Sequence, residues 1–195
     1  MTGLAPYRDE TRFSINGKRI FVAGHRGMLG RALVKASSRE NAVAVTVDRS
    51  DLDLTNPIIT AKWLNDTRPD AIIVAAGGVG GLYDNISSQA EMCSQNLSIA
   101  LSVIEGAHKA NINNLVYIAP AATYPLNAPL PLKEENLLDG PLDPFHLRYA
   151  SAKRAGIAHC QAMVDQNHRH YQTALPTNCL AQAVGEGSEL TLFQQ

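Results

Sequence analysis

The chain is short of the residues that define several protein classes. Its cysteines are Cys93, Cys160 and Cys179, an odd and widely spaced set. They form neither a CxxC metal pair nor a disulfide framework, which argues against structural zinc and for a reducing compartment. Charge of one sign is lacking too: 17 Lys and Arg stand against 18 Asp and Glu, a formal net charge of −1, with no charged block. A nucleic-acid or polyanion surface needs a basic footprint, so no nucleic-acid partner is expected. No apolar run reaches the roughly 18 residues of a membrane span. The polar start, residues 1–17, has no apolar core of the kind a signal peptide carries. A cytoplasmic protein without a membrane partner is the expectation.

What is present suits a globular fold. Of the 195 residues, 45% are hydrophobic, enough for one domain with a short appendage. The fold is expected to begin at Lys18, after a polar tail. Residues 19–23 (RIFVA) form an apolar run between turn signals, as in a strand buried on both faces of a parallel sheet. A helical pattern follows over 27–37, then a strand at 42–47, a helix at 57–65, a strand at 71–75, a helix at 88–110 and a strand at 115–118. Residues 119–144 hold six of the ten prolines and read as a loop over the strand ends. A helix over 149–166 and a short strand at 171–175 close the pattern. Strands alternating with helices need right-handed crossovers, so the expected class is α/β, a doubly wound parallel sheet. Residues 179–195 lack a strong period and are expected to form a poorly ordered tail.

Two clusters carry chemistry. Gly24, Gly27 and Gly30 in GHRGMLG lie between the first strand and the first helix, where a tight turn lets backbone approach a pyrophosphate at a helix N-terminus. The spacing is GxxGxxG, and context carries the reading more than the pattern. Asp48 follows at the end of the second strand, where an acidic side chain accepts hydrogen bonds from an adenosine ribose and signals NAD. Arg26 and Arg49 point the other way, since two guanidinium groups can hold a ribose 2′-phosphate. NADP(H) is the favoured expectation, with NAD left open. The second cluster is Tyr149 and Lys153, four residues apart on one face of a helix. An ammonium beside a phenol favours phenolate, so Tyr149 is expected to titrate below its usual value of about 10 and to exchange a proton with a carbonyl.

Other candidates read as packing. Cys93 and Cys160 fall in helices, where a free cysteine is most often a small buried hydrophobe. Trp63 reads as a core contact. His168 and His170 lack a third ligand, so no metal is expected.

These residues resemble the extended short-chain dehydrogenase/reductase superfamily and, within it, the GDP-L-fucose synthase family of epimerase-reductases. The likeness rests on AGHRGMLG at 23–30, AAGGVGG at 75–81, TYP at 123–125, KEENLLDGPLDP at 133–144, YASAKRAGI at 149–157 and LPTN at 175–178. It implies a Rossmann-like NAD(P)-binding domain over 18–178, a homodimer made by pairing long helices, and NADP(H) as cofactor. Carried over by position, Gly24, His25, Arg26, Gly27, Met28, Leu29 and Gly30 cradle the pyrophosphate, and Arg26 and Arg49 hold the 2′-phosphate. Asp53 and Leu54 flank the adenine, Ala75 and Ala76 line the site, and Asn178 lies beside the nicotinamide. Tyr149 is then the catalytic proton donor, and Lys153 its partner and ribose ligand.

The chain departs from the family at three places. The family's catalytic serine falls at Pro120 and its cysteine at Ala122, which removes a hydroxyl donor and a proton carrier; Thr123, the nearest hydroxyl, is not expected to turn toward a substrate. After Asn178 the family continues to a histidine and a C-terminal substrate lobe that binds the GDP-sugar. Here the text reads CLAQAVGEGSELTLFQQ, so the likeness is expected to end there with that lobe missing. Two functions follow: an impaired NADP-dependent nucleotide-sugar epimerase/reductase, or a non-catalytic module that keeps dinucleotide binding or dimerisation only.

Overall fold

The computed structural model describes residues 13–78, 89–176 and 179. The expected N-terminal tail lies mostly outside these residues, as do the C-terminal tail beyond Cys179 and the position of Asn178. The elements run β1 (Arg19–Ala23), α1 (Met28–Arg39), β2 (Val43–Val45), α2 (Pro57–Thr67), β3 (Ala71–Val74), α3 (Gln89–Lys109), β4 (Asn114–Ile118), α4 (Leu147–Asn167) and β5 (His170–Ala174).

The sheet has five parallel strands in the order β2-β1-β3-β4-β5. The chain leaves the interior strand β1 toward the edge at β2, then returns past it to β3 and continues outward, which confirms the doubly wound α/β expectation. Between β1 and β3 the direction of winding reverses, and a crevice opens at the strands' C-terminal ends. Alternation in β1 divides the core. Ile20 and Val22 face α1, with Ala42, Ala71, Leu33 and Val34. Phe21 and Ala23 face the other layer, with Leu64, Val103, Ile104, Ile157 and Cys160 from α2, α3 and α4. Each large aliphatic or aromatic side chain fully buried here contributes about 1.5–3 kcal/mol. Trp63 joins this layer, its ring 4.6 Å from that of Phe21.

Local chemistry sets the element ends. Asn56 caps α2, its Oδ1 accepting from the amides of Ile58 and Ile59, with Pro57 at the first helical position where no amide is needed. Arg68 and His168 end α2 and α4 in the left-handed region, at φ 44 and 52. The strand expected over 42–47 is shorter. Val43 is 57% exposed on the sheet edge, and after Val45 the chain bends inward, so Val47 lines the crevice. Asp48 therefore does not end the strand but opens a turn, its carbonyl accepting from the amides of Asp51 and Leu52. The proline-rich segment is a loop carrying two short 3-10 turns, Ala121–Thr123 and Glu134–Asn136. Among the described residues no helix is long and apolar enough to cross a membrane.

Candidate dinucleotide and substrate site

The glycine turn closes over the end of β1. Gly24 has φ +86, and a Cβ there would stand 2.7 Å from the backbone of Ala76; a Cβ on Gly30 would stand 2.1 Å from the carbonyl oxygen of Gly24. No other residue fits either position, because the first helical turn of α1 lies directly on the strand-to-helix turn. The amide of Gly27 donates to the Gly24 carbonyl at 3.0 Å, and α1 starts at Met28 with no side-chain cap, its first residues Met28 and Leu29 lining the larger cavity. The arrangement is a cradle for an anion at a helix N-terminus.

Two cavities adjoin this turn. The first, about 240 Å³, is lined by Gly24, His25, Arg26, Gly27, Arg49, Asp53, Leu54, Ala75 and Ala76. The second, about 840 Å³, is lined by Met28, Leu29, Gly77, Pro120, Ala122, Asp143, His146, Tyr149 and Lys153 among others. Ala75 and Gly77 border both. Of the described residues singled out in the sequence for the cofactor or for catalysis, all border one of them except Gly30, which packs beneath Gly24, and Asp48, which lies outside both linings. Asn178 lies outside the described residues.

The electrostatics differ from the sequence expectation at two places. Asp48 engages two side chains of the glycine turn: Arg26 Nη2 lies 2.5 Å from Oδ2 and His25 Nε2 lies 3.3 Å from Oδ1. Arg26 is thus paired within the protein, with its guanidinium 74% exposed. At the second place, Tyr149 is not shifted down. Burial pushes its phenol up to about 12 and pulls Lys153 down to about 8. The physical reason is where the ammonium points. Lys153 Nζ donates to the carbonyls of Ile118 and Ala76 at 3.3 and 3.4 Å and sits 5.0 Å over the Tyr117 ring. Desolvation outweighs any help from the lysine charge, and Tyr149 stays a proton donor in this state.

Asp53 has a local task besides lining the cavity. Its Oδ1 accepts from the amide and hydroxyl of Thr55 at 3.0 and 2.8 Å, bonds that hold its carboxyl below the usual range. Thr123 does not offer its hydroxyl to the cavity: the side chain is fully buried and Oγ1 donates to the Pro120 carbonyl at 2.6 Å. Asn96 went unnoticed in the sequence. It is 2% exposed, its Nδ2 donates to the carbonyls of Met92 and Gly78 at 2.8 and 2.9 Å, and among the described residues nothing donates to its Oδ1. That oxygen and Lys153 Nζ stand 2.8 and 3.1 Å from where a Cβ on Gly77 would lie. A lone asparagine inside a helix has no spacing signature; only burial without a donor marks it.

A doubly wound sheet with a glycine turn at its reversal point and a crevice beside it is the architecture of the dinucleotide-binding α/β folds. The model of the NAD dependent epimerase/dehydratase family matches residues 20–191, and the chain belongs to that family. The match runs past Asn178, so the likeness extends beyond the point where the sequence motifs stop. Among curated relatives, the GDP-L-fucose synthase of Sinorhizobium fredii is 40% identical over 166 residues, 85% of this chain and 53% of the relative. That of Escherichia coli is 34% identical over 83% of this chain and 50% of its own. The solved GDP-D-glycero-L-gluco-heptose synthase of Campylobacter jejuni, determined in the presence of NADPH, superposes with a TM-score of 0.82 at 29% identity, covering 89% of this chain and 51% of that one. The chain spans about half the length of the curated relatives it matches.

Proposed function

We propose that this chain is the dinucleotide-binding part of an NADP(H)-dependent nucleotide-sugar epimerase/reductase of the GDP-L-fucose synthase type, acting on a GDP-sugar in the cytoplasm. The observation that carries the reading is the opening of Tyr149 and Lys153 onto a cavity that begins at the glycine turn. The residues fit the cofactor: the cradle at Gly24 and Gly30 admits backbone but no side chain, and Arg49 with Arg26 borders the adenosine-sized cavity. When bound, the reduced nicotinamide supplies a hydride to a ketone carbon. Tyr149 donates the proton that the ketone oxygen then requires, and Lys153, with Asn96 beside it, orients the ribose. GDP-4-keto-6-deoxymannose is the substrate to test first, because GDP-L-fucose synthases are prominent among the relatives.

A second copy of this chain is the other partner proposed, paired through α3 and α4. Leu97 and Leu101 support it, one turn apart on α3 and 41% and 54% exposed.

Calorimetric titration of the folded protein with NADPH and NADH tests the reading. Saturable binding that prefers NADPH and weakens at least tenfold in Lys153→Ala is expected; a folded protein that binds neither nucleotide overturns it. Pro120 and Ala122 favour a second reading, because these cavity residues offer no side-chain donor and no proton. A module that binds NADPH yet never reduces the keto-sugar would establish that reading instead.

A further inference from the structure

His146 is the side chain of the larger cavity that the proposed reaction leaves unused. It stands immediately before α4, and Tyr149 follows three places later, about one helical turn along the same side. Both border the cavity, and Asp143 lies beside them. His146 Nδ1 is 3.0 Å from Asp143 Oδ2. Asp143 is held in turn: Oδ1 accepts from the Phe145 amide at 2.9 Å, and its carbonyl accepts from the His146 amide at 3.1 Å. The Phe145 ring meets the imidazole edge-on at 4.8 Å between centroids. In a neutral imidazole, a carboxylate at Nδ1 favours the tautomer with the proton on that nitrogen and the lone pair on Nε2. Among the described residues no partner engages Nε2.

Several neighbouring groups are engaged elsewhere or carry no proton, while Cys179 and Tyr124 also line the cavity. Lys153 Nζ is committed to two carbonyls, the Thr123 hydroxyl is turned to Pro120, and Pro120 and Ala122 carry no proton. Tyr149 serves the ketone oxygen. A histidine fixed by a carboxylate at one nitrogen and open at the other is the arrangement that general acid–base chemistry uses.

We propose that His146, oriented by Asp143, is the catalytic base that removes a proton from the carbon beside the ketone of a keto-sugar nucleotide in this cavity; the inference rests on the substrate class of the proposed function. The C–H bond breaks, the proton passes to Nε2, and the electron pair moves to the ketone oxygen, where the Tyr149 hydroxyl donates a hydrogen bond to the enolate. The imidazolium is balanced by the Asp143 carboxylate and either returns the proton to carbon or exchanges it with water. No oxidant or reductant is consumed.

The test is deuterium wash-in. The full chain is incubated with GDP-4-keto-6-deoxymannose in heavy water, without nucleotide cofactor, and the loss of the proton signals on the carbons flanking the ketone is followed by NMR. Wild type is expected to exchange them, His146→Gln to be slower by about 100-fold, and Asp143→Asn to lie between. His146→Gly should recover exchange when imidazole is added, a rescue that a merely structural role for His146 does not give; circular dichroism establishes that each variant is folded. Wild-type exchange that survives intact in His146→Gln overturns the assignment, and so does a wild type that exchanges nothing. Because the assay uses no dinucleotide cofactor, failure of NADPH binding is read separately and counts against the proposed function alone.

Discussion

Lys153 holds its charge where water does not reach, and its titration follows from that. An unfolded chain keeps the lysine proton to its usual value of about 10.5, whereas the folded protein gives it up from about 8. Between pH 8 and 10.5 the unfolded state binds more protons, so stability rises with pH across this window. Below pH 8 the burden is complete, on the order of 3 kcal/mol. Tyr149 acts in the opposite sense: folded, it keeps its proton to about 12, so above pH 10 the unfolded state releases protons first and stability falls. In urea titrations at pH 7, 8.5 and 10 the stability advantage of Lys153→Met over wild type should shrink as pH rises, while the buried Cys160 thiol and the Tyr149 and Tyr171 phenols, each pushed up to about 12, lower both curves alike toward pH 10. The variant should also gain stability at pH 7, less what the two carbonyls lose with their donor. An unchanged pH slope in the variant would sink this account. Glycine gives a second contrast at this scale. Gly24 and Gly17 both have positive φ, +86 and +70, but only Gly24 would bring a Cβ against backbone. Gly17→Ala should cost about 1–2 kcal/mol through conformation alone and leave NADPH binding intact. Gly24→Ala should weaken NADPH binding by more than tenfold in calorimetry, because the cradle itself must open. Equal effects on binding would remove the cradle argument. The glycine turn was legible in the sequence because its function depends on spacing along the chain. His146 and Asn96 were not, because their significance comes from a carboxylate or a missing donor that only the fold brings into view.

Between the elements, Arg154 is the fastening of the proline-rich loop. It lies next to Lys153 on α4 yet turns to the loop, where Nε donates to the Thr123 carbonyl at 2.7 Å and Nη2 to the Leu137 carbonyl at 2.6 Å. A longer contact joins Nη1 to the Gly140 carbonyl at 3.5 Å. One planar fork thus ties three points of the loop to the helix that carries Tyr149. Lysine cannot reproduce the fork, since its ammonium is a single point of donation. Charge-assisted bonds of this kind contribute about 1.5–3 kcal/mol each. Arg154→Leu should therefore lose about 3–5 kcal/mol in urea unfolding and become prone to limited proteolysis within residues 124–140, with Arg154→Lys in between. Wild-type protease resistance in Arg154→Leu would show that the loop is held by its prolines and apolar contacts instead. The elements themselves were readable from the sequence, since strand and helix periods are local. Their order in the sheet needed the handedness of the crossovers as well. The early end of β2 was not readable: residues 42–47 are uniformly β-forming, and what bends them away is an edge with no further strand to pair with. The loop's attachment was equally hidden, because Arg154 continues a helical pattern whose neighbours in sequence give no sign of its target.

At the scale of the molecule, two apolar surfaces remain open among the described residues. One is the α1 face of the sheet beyond α1, where Ile73, Val116 and Ile118 are only partly covered. The other is the outer side of α3 and α4. There Leu97 and Leu101 are exposed on α3, and Ser151, Ala155 and Ala158 are exposed on α4, where small side chains let a second backbone come close. The two surfaces differ in what they can bind. The helical one suits a two-fold contact, since two long parallel neighbours meeting their own copies about a two-fold axis would form a closed four-helix layer. Analytical ultracentrifugation at tens of micromolar should therefore give about twice the 21.0 kDa of the chain. Leu101→Glu should return the protein to the single-chain mass. In a two-fold contact the substitution enters from both sides, so two carboxylates replace two leucines, and the loss of apolar burial, about 1.5–3 kcal/mol for each fully covered leucine, adds to like-charge repulsion. Thermal stability of the separated chain should change little, because Leu101 is already 54% exposed in it. If Leu101→Glu leaves the mass doubled, the copies associate through another surface, and the open sheet face becomes the place to substitute next, with Val116→Lys as the variant.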